Sequence, residues 1–373
     1  MGPQLLLDKS TLQSLSYDEA WCVQRHYWLV YAPILFIEVL GDLKKVATDP
    51  NRAKRIVASI AGKIQPTDSC FTAHYKMLLT ANLLGNEVEM EGRPIKLGGT
   101  PITDARGQRA IFFDQEPEHE ALRRWRAGEF SEAEEVLSNR WRQSTREIDL
   151  DSWARGQKTL PKLKSLSELR ECALEICNSP EHQLENLRFL IAEARIPQNE
   201  TTQIYDLWLN RGMPRLREYA PYAYYCLSVY MSFYLGLANK LIGTRSTNRV
   251  DLEYVLYLPF CKVFLSNDKF HIQFAPLFLN DEQDFIDGSA FKTDIKRISN
   301  YWESLSKEER NKLQREWGDY PPDWKDSITN QLWEKHMTPR SEYTPIETTP
   351  EREKEIIEHM KPYLDAIEKL KSE

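Results

Sequence analysis

Four acidic residues stand at places where a carboxylate is costly or conspicuous. Asp8 ends the apolar run LLLD, Glu38 interrupts ILFIEVL, Asp251 follows a Thr-Asn-Arg turn, and Asp268 closes VFLSND. Acids at the carboxyl ends of strands in an α/β sheet sit where ligands gather. Three or four carboxylates from separate segments suit a hard cation, Mg²⁺ or Mn²⁺, which prefers oxygen ligands and retains water. Such an ion activates water and neutralises charge on phosphorus, the chemistry of phosphodiester hydrolysis. Ser10 and Ser266, two residues from Asp8 and Asp268, are of the type that orients carboxylates or water from an outer shell.

Each residue also has a plain structural reading. Asp8 and Asp268 suit turns at strand ends, and Asp251 suits a helix N-cap. Glu38 is costly in an apolar run unless paired, or else it marks the exposed edge of an amphipathic helix. Asp42, one helical turn later, is its substitute. Asp281, Asp284 and Asp287 form an acidic cluster that reads more simply as a solvated loop.

The elements that must position these acids follow from local pattern. Residues 4–8 read as a short buried strand. Residues 17–30 read as a helix with Ser16 as N-cap and acids in its first turn. The run 34–40 after Pro33 is strand or helix; periodicity does not decide. Residues 251–258 read as a helix opening on Asp251, and 262–265 as a strand. Helical stretches are expected at 116–148, 165–178 and 181–195, and a last charged helix at 350–371, with a Thr-Thr-Pro-Glu start at 348–351. Apolar strands thus bracket a long, charged, mostly helical segment. The expected organisation is an α/β parallel-sheet core from 1–45 and 205–300, a helical insertion at 46–204 and a charged helical C-terminal extension at 301–373.

The segments around the acids resemble the PIN domain, a metal-dependent nuclease fold. LLLDKSTLQSL is similar to its opening strand, with Asp8 and Ser10. PILFIEVL is similar to its second motif, with Pro33 and Glu38. DLEYVLYLPFCKVFLSNDK is similar to its closing motif, with Asp251 and Asp268 in the acidic places and Ser266 in the hydroxyl place. The resemblance covers about a third of the chain, and it departs from a compact PIN domain in the roughly 200 residues between Glu38 and Asp251. It implies a PIN-like core and a divalent-metal-dependent endoribonuclease. Asp8, Glu38, Asp251 and Asp268 would hold Mg²⁺ or Mn²⁺, and single-stranded RNA would be the substrate, with DNA open to the same chemistry. A split nuclease of this kind suits a toxin or anti-phage defence effector held by an inhibitory or regulatory protein partner. The rival expectation is an idle PIN-like scaffold that serves as a protein–protein interaction module.

Composition limits the alternatives. The chain has 373 residues, 41% of them hydrophobic, which is ample for a core. Its formal net charge of −7 argues against coating duplex DNA by bulk charge and leaves room for a local basic groove. Phosphate contacts are expected from Arg245, Arg249, Arg215 and Lys269, which lie near the acids in sequence. The Arg/Trp stretches RRWRAGEF (123–130) and NRWRQSTR (139–146) are a second basic candidate, though glutamates interleave them. The six cysteines make no CxxC pair, and the histidines form no zinc or triad pattern. Buried free thiols in a reducing compartment follow, hence a cytoplasmic location. The opening residues lack the basic and apolar regions of a signal peptide. The uncharged stretch 219–239 is long enough to span a bilayer, but its tyrosines, serines and Pro221 favour a buried helix, so no membrane partner is expected.

Overall fold

Short apolar tetrapeptides build the sheet. In the computed structural model, which describes residues 2–45, 49–65, 69–113, 117–157, 160–345 and 349–372, the strands are β1 (Gln4–Leu7), β2 (Trp28–Tyr31), β3 (Ser69–Phe71), β4 (Thr100–Thr103), β5 (Arg109–Phe112), β6 (Val263–Ser266) and β7 (Asp284–Asp287). Five of them form one sheet in the order β3-β2-β1-β6-β7. Every pairing in it is parallel. Leu5–Leu7 and Val263–Leu265 are fully buried, as expected of central parallel strands covered on both faces. β4 and β5 make a separate antiparallel hairpin inside the 92–113 region.

The structure redraws several expected elements. The helix read over 17–30 ends at His26, and WLVY is β2. Tyr27 closes the helix through its backbone N–H to Val23 and turns extended, and pairing with β1 then outweighs helical pattern. Residues 34–40 are helical, in Pro33–Gly41, with Pro33 in the first turn. The stretch 116–148 is two helices, Pro117–Arg126 and Glu132–Glu147, and residue 116 lies outside the described residues. Gly128 at φ 75° breaks it, and a Ser131/Glu134 capping box starts the second helix. Leu166–Asn178 and Gln183–Ala194 match the expected helices within their caps. The last helix is Pro350–Ser372; Thr348 of its expected start lies outside the described residues.

The boundary expected at 46–204 runs through the sheet. β3 lies inside it and pairs with β2. Three residues carry too little period for the sequence to declare a strand. β7 comes from the expected acidic loop and is an edge strand, which tolerates its two acids.

The uncharged stretch forms the helix Pro221–Ala238, mostly buried and packed against Leu166–Asn178 and Tyr75–Leu83. Among the described residues no helix is long and apolar enough to cross a membrane. The C-terminal region is stitched to the sheet domain through His26. The His26 Nδ1–H donates to the Asp319 carbonyl at 2.7 Å, Trp302 Nε1 donates to His26 Nε2 at 3.2 Å, and Trp333 Nε1 donates to the His26 carbonyl at 2.8 Å. Burial holds this imidazole down at about 4, so it stays neutral.

Candidate active site

β1 and β6 are neighbours, yet the chain leaves β1 toward β2 on one side and β6 toward β7 on the other. This is a topological switch point, where the loops at the carboxyl ends diverge and a crevice opens. Asp8 follows β1 and Asp268 follows β6.

Both acids are also N-caps. Asp8 Oδ1 accepts from Thr11 N at 2.8 Å and starts the helix Lys9–Ser14. Asp268 Oδ1 accepts from Phe270 N at 2.7 Å and starts Lys269–Phe274. Asp8 Oδ2 accepts from Ser10 Oγ at 2.8 Å and from Ser266 Oγ at 2.7 Å. Ser266 Oγ in turn accepts from Asp268 N at 3.0 Å. One buried hydroxyl therefore ties the two strand-end acids together, and the turn SND is both punctuation and part of the acidic centre.

Asp251 differs from expectation. It does not open its helix, which is Asn248–Val255, but sits in the first turn with Thr247 as N-cap. Three residues on, and so on the same face, Tyr254 donates its hydroxyl to Glu38 Oε2 at 2.6 Å. Glu38 is thereby brought to the same place from the helix Pro33–Gly41. Desolvation pushes the Glu38 carboxyl up to about 7, against the Tyr254 hydrogen bond. It pushes Asp251 up to about 7 as well, and repulsion from Glu38, Asp268 and Asp8 adds to this. Asp251 Oδ2 is buried without a hydrogen-bond partner.

Two more residues complete it: His271, which the sequence-based site lacks, and Arg245, expected there as a phosphate contact and found against the acids instead. His271 is fully buried against Phe264 and Tyr254. Its Nε2 is 2.8 Å from the Asp251 carbonyl, which only accepts, so Nε2 carries a proton. Its Nδ1 is 2.8 Å from Ser266 Oγ and 3.8 Å from Asp8 Oδ2. If the Ser266 hydroxyl proton goes to Asp8, Nδ1 must donate as well, and the ring is an imidazolium. Burial lowers the pKa of His271, but the nearby Asp8 carboxylate and the charge of Asp251 outweigh it, and the net direction is up. For Asp8 burial raises the pKa, and His271, Thr11 and Ser266 reverse the direction. A lone His in KFHIQF carries no local signal of this; only the fold assembles it.

Arg245 is the second. Its Nη2 lies 3.0 Å from Asp268 Oδ2 and 3.9 Å from Asp251 Oδ2, which places those two oxygens within about 7 Å of each other. Among the described residues no three acidic, histidine or cysteine side chains are drawn together around one point. Each acid is instead turned toward its own partners, with Arg245 between Asp251 and Asp268.

The other expected basic residues part company. Arg249 is on the opposite face of its helix, paired with Glu193 and Glu253 and stacked over Tyr230. Arg215 precedes the N-terminal end of Pro221–Ala238, an 18-residue helix about 27 Å long whose far end leads to Arg245. Lys269 is exposed beside Asp268. Asp42 is fully buried in ion pairs with Lys9 and Arg142 and does not substitute for Glu38. Asp284 pairs with Lys335 and His336, and Asp287 caps Gly288–Ser304. In RRWR, Arg124 makes a bidentate pair with Glu134 and Arg126 donates to the Ala61 and Ile64 carbonyls, so this stretch is packing rather than patch.

The raised pKa of Asp251 has a measurable consequence. A carboxyl whose folded pKa exceeds its unfolded value contributes stability that is fully present below the unfolded pKa and is lost as pH rises through about 7. Asp251→Asn removes that buried charge. It is expected to stabilise the ion-free protein at pH 8 by about 1 kcal/mol, with the gain shrinking toward pH 4. Denaturant titrations at the two pH values check this; a variant less stable than wild type at pH 8 contradicts it.

No family model, curated protein or solved structure matches this sequence.

Proposed function

We propose that the protein is a divalent-metal-dependent nuclease that hydrolyses phosphodiester bonds in single-stranded RNA on a PIN-like core. The observation that carries this is the gathering of Asp8, Glu38, Asp251 and Asp268, from four separate segments, near the carboxyl ends of β1 and β6, close enough for their charges to act on Asp251 though not drawn around one point. The donor set, all carboxylate oxygens, is of the kind a hard cation takes, and an ion would draw the acids from their present partners toward one point. Asp251 Oδ2 is an orphaned buried oxygen, two carboxyls hold protons near neutrality, and the guanidinium of Arg245 already stands between two of the acids as a stand-in cation. Asp8, Asp251 and Asp268 would hold Mg²⁺ or Mn²⁺, with Glu38 beside them. When bound, such an ion supplies Lewis acidity toward water and the phosphoryl oxygens.

The chain's own residues do the rest. Tyr254 fixes Glu38 through Oε2. With its carboxyl raised to about 7, Glu38 is matched to accept a proton from the attacking water at neutral pH. Water oxygen bonds to phosphorus as its proton passes to Glu38, the bond to the leaving oxygen breaks, and that oxygen takes a proton from solvent, so the products are a phosphate monoester and a hydroxyl. His271 and Ser266 keep Asp8 and Asp268 in register.

One observation favours the rival reading of an idle scaffold: Arg245 neutralises Asp268 without any ion. Cleavage of a labelled single-stranded RNA with Mn²⁺, with and without EDTA, separates the two. The nuclease reading expects EDTA-sensitive cleavage whose rate rises with pH through about 7, as Glu38 and Asp251 lose their protons, and levels above pH 8. No cleavage of RNA or DNA in either metal favours the scaffold.

A further inference from the structure

Glu38 and Asp42 lie one helical turn apart, and their surroundings are opposite. Glu38 faces the acids. Asp42, in the 3₁₀ turn Asp42–Lys44 that continues the Glu38 helix, is fully buried among cations. Lys9 Nζ is 2.6 Å away, Arg142 Nη2 2.9 Å and Lys45 Nζ 3.7 Å. One carboxylate among three cations leaves two positive charges over. Lys9 is also the residue next to Asp8, so this basic cluster borders the acidic centre on two elements at once.

The positive surface continues outward. Lys44, Arg142 and Arg146 line an open cleft of about 820 Å³ between this turn and the helix Glu132–Glu147. Arg142 and Arg146 are four residues apart and share a face of that helix. Asn139 and Gln143 add amide donors between them. Two of these donors already have acidic partners, since Lys44 pairs with Glu135 at 3.2 Å and Gln143 donates to Glu147 at 2.8 Å, and a phosphate would compete with those carboxylates for them. Among the described residues that line the cleft none is aromatic. Trp141 of the same stretch is turned inward onto Gly41, where a Cβ would meet its ring at 2.7 Å.

We infer that this cleft binds the sugar–phosphate backbone of a single strand and leads it past Lys9 to the acidic centre. The direction of the strand rests on the nuclease reading; the binding does not. Guanidinium and ammonium groups without a stacking partner read phosphates and not bases. The bound strand is therefore several nucleotides long, held without sequence preference and strongly dependent on salt.

The test is fluorescence anisotropy with a labelled twelve-nucleotide single-stranded RNA in EDTA, so that binding is read without cleavage. The variant is Lys44→Glu with Arg146→Glu, both on the rim and away from the acids. Arg310→Glu with Lys312→Glu, on the exposed helix Lys307–Trp317, controls for net charge. The first pair is expected to weaken binding at least tenfold and to lower the slope of log affinity against log salt by about 2. The control pair leaves both unchanged. Unchanged affinity in the first pair, equal weakening in the control, or no binding by wild type at low salt overturns the cleft. Binding through the cleft with no cleavage in Mn²⁺ defeats the nuclease reading and leaves the cleft standing. Cleavage with affinity indifferent to Lys44 and Arg146 does the reverse.

Discussion

Asp8→Asn is expected to lower Mn²⁺-dependent cleavage about 10³-fold while leaving the protein folded. The substitution keeps what the fold needs. Asn is as good an N-cap as Asp, so Thr11 N retains its acceptor and the helix Lys9–Ser14 its start. What it removes is the negative charge on which Ser10, Ser266 and His271 converge. Losing an outer partner of a metal ligand costs about 10–100-fold; losing the ligand's charge should exceed that. Initial rates, with circular dichroism to establish folding, decide it. A folded variant that cleaves like wild type removes Asp8 from the mechanism.

The largest expected stability effect is at Asp42. Asp42→Asn keeps the volume and deletes the charge that gathers Lys9, Arg142 and Lys45. Removing one side of a buried ion pair strands the other, and the cost is about 3 kcal/mol. Arg142 and Lys45 are partly exposed and can turn to water, but Lys9 is only 13% exposed and cannot do so freely. Its free ammonium then faces Glu38, one turn away. Urea denaturation should show a lower midpoint with an unchanged slope. A loss under about 1 kcal/mol means that the cluster is held by packing instead.

The central strands and their acids are legible because the signal is local. An apolar tetrapeptide, then Asp, then a hydroxyl residue is at once a buried parallel strand and an N-cap. β1 with Asp8 and β6 with Asp268 are written that way. β2 is not, because WLVY continues a helical pattern and becomes a strand only by pairing with residues 4–6. β3 and β7 are edge strands of three and four residues, one without period and the other half acidic. Their identity lies in their neighbours.

The site divides in the same way. The four acids are visible from their contexts, while their electrostatics come from contacts far apart in the chain. Tyr254 reaches Glu38 across 216 residues, and Ser266 reaches Asp8 across 258. His271 has no sequence signature at all. Among the arginines, closeness in sequence misleads. Arg245 precedes the helix and falls on the acids, whereas Arg249 lies in its first turn and is rotated toward Glu253 and Tyr230. NRWRQSTR does supply a basic surface, but its tryptophan is spent on packing.

On the proposed mechanism the acids at the ends of β1 and β6 hold a divalent cation. A crystal structure grown with Mn²⁺ at pH 8, where Glu38 and Asp251 are ionised, measures this directly through the anomalous signal. An ion is expected among Asp8, Asp251 and Asp268, with Arg245 turned away from Asp268. No anomalous peak there, with Arg245 still on Asp268, would contradict it.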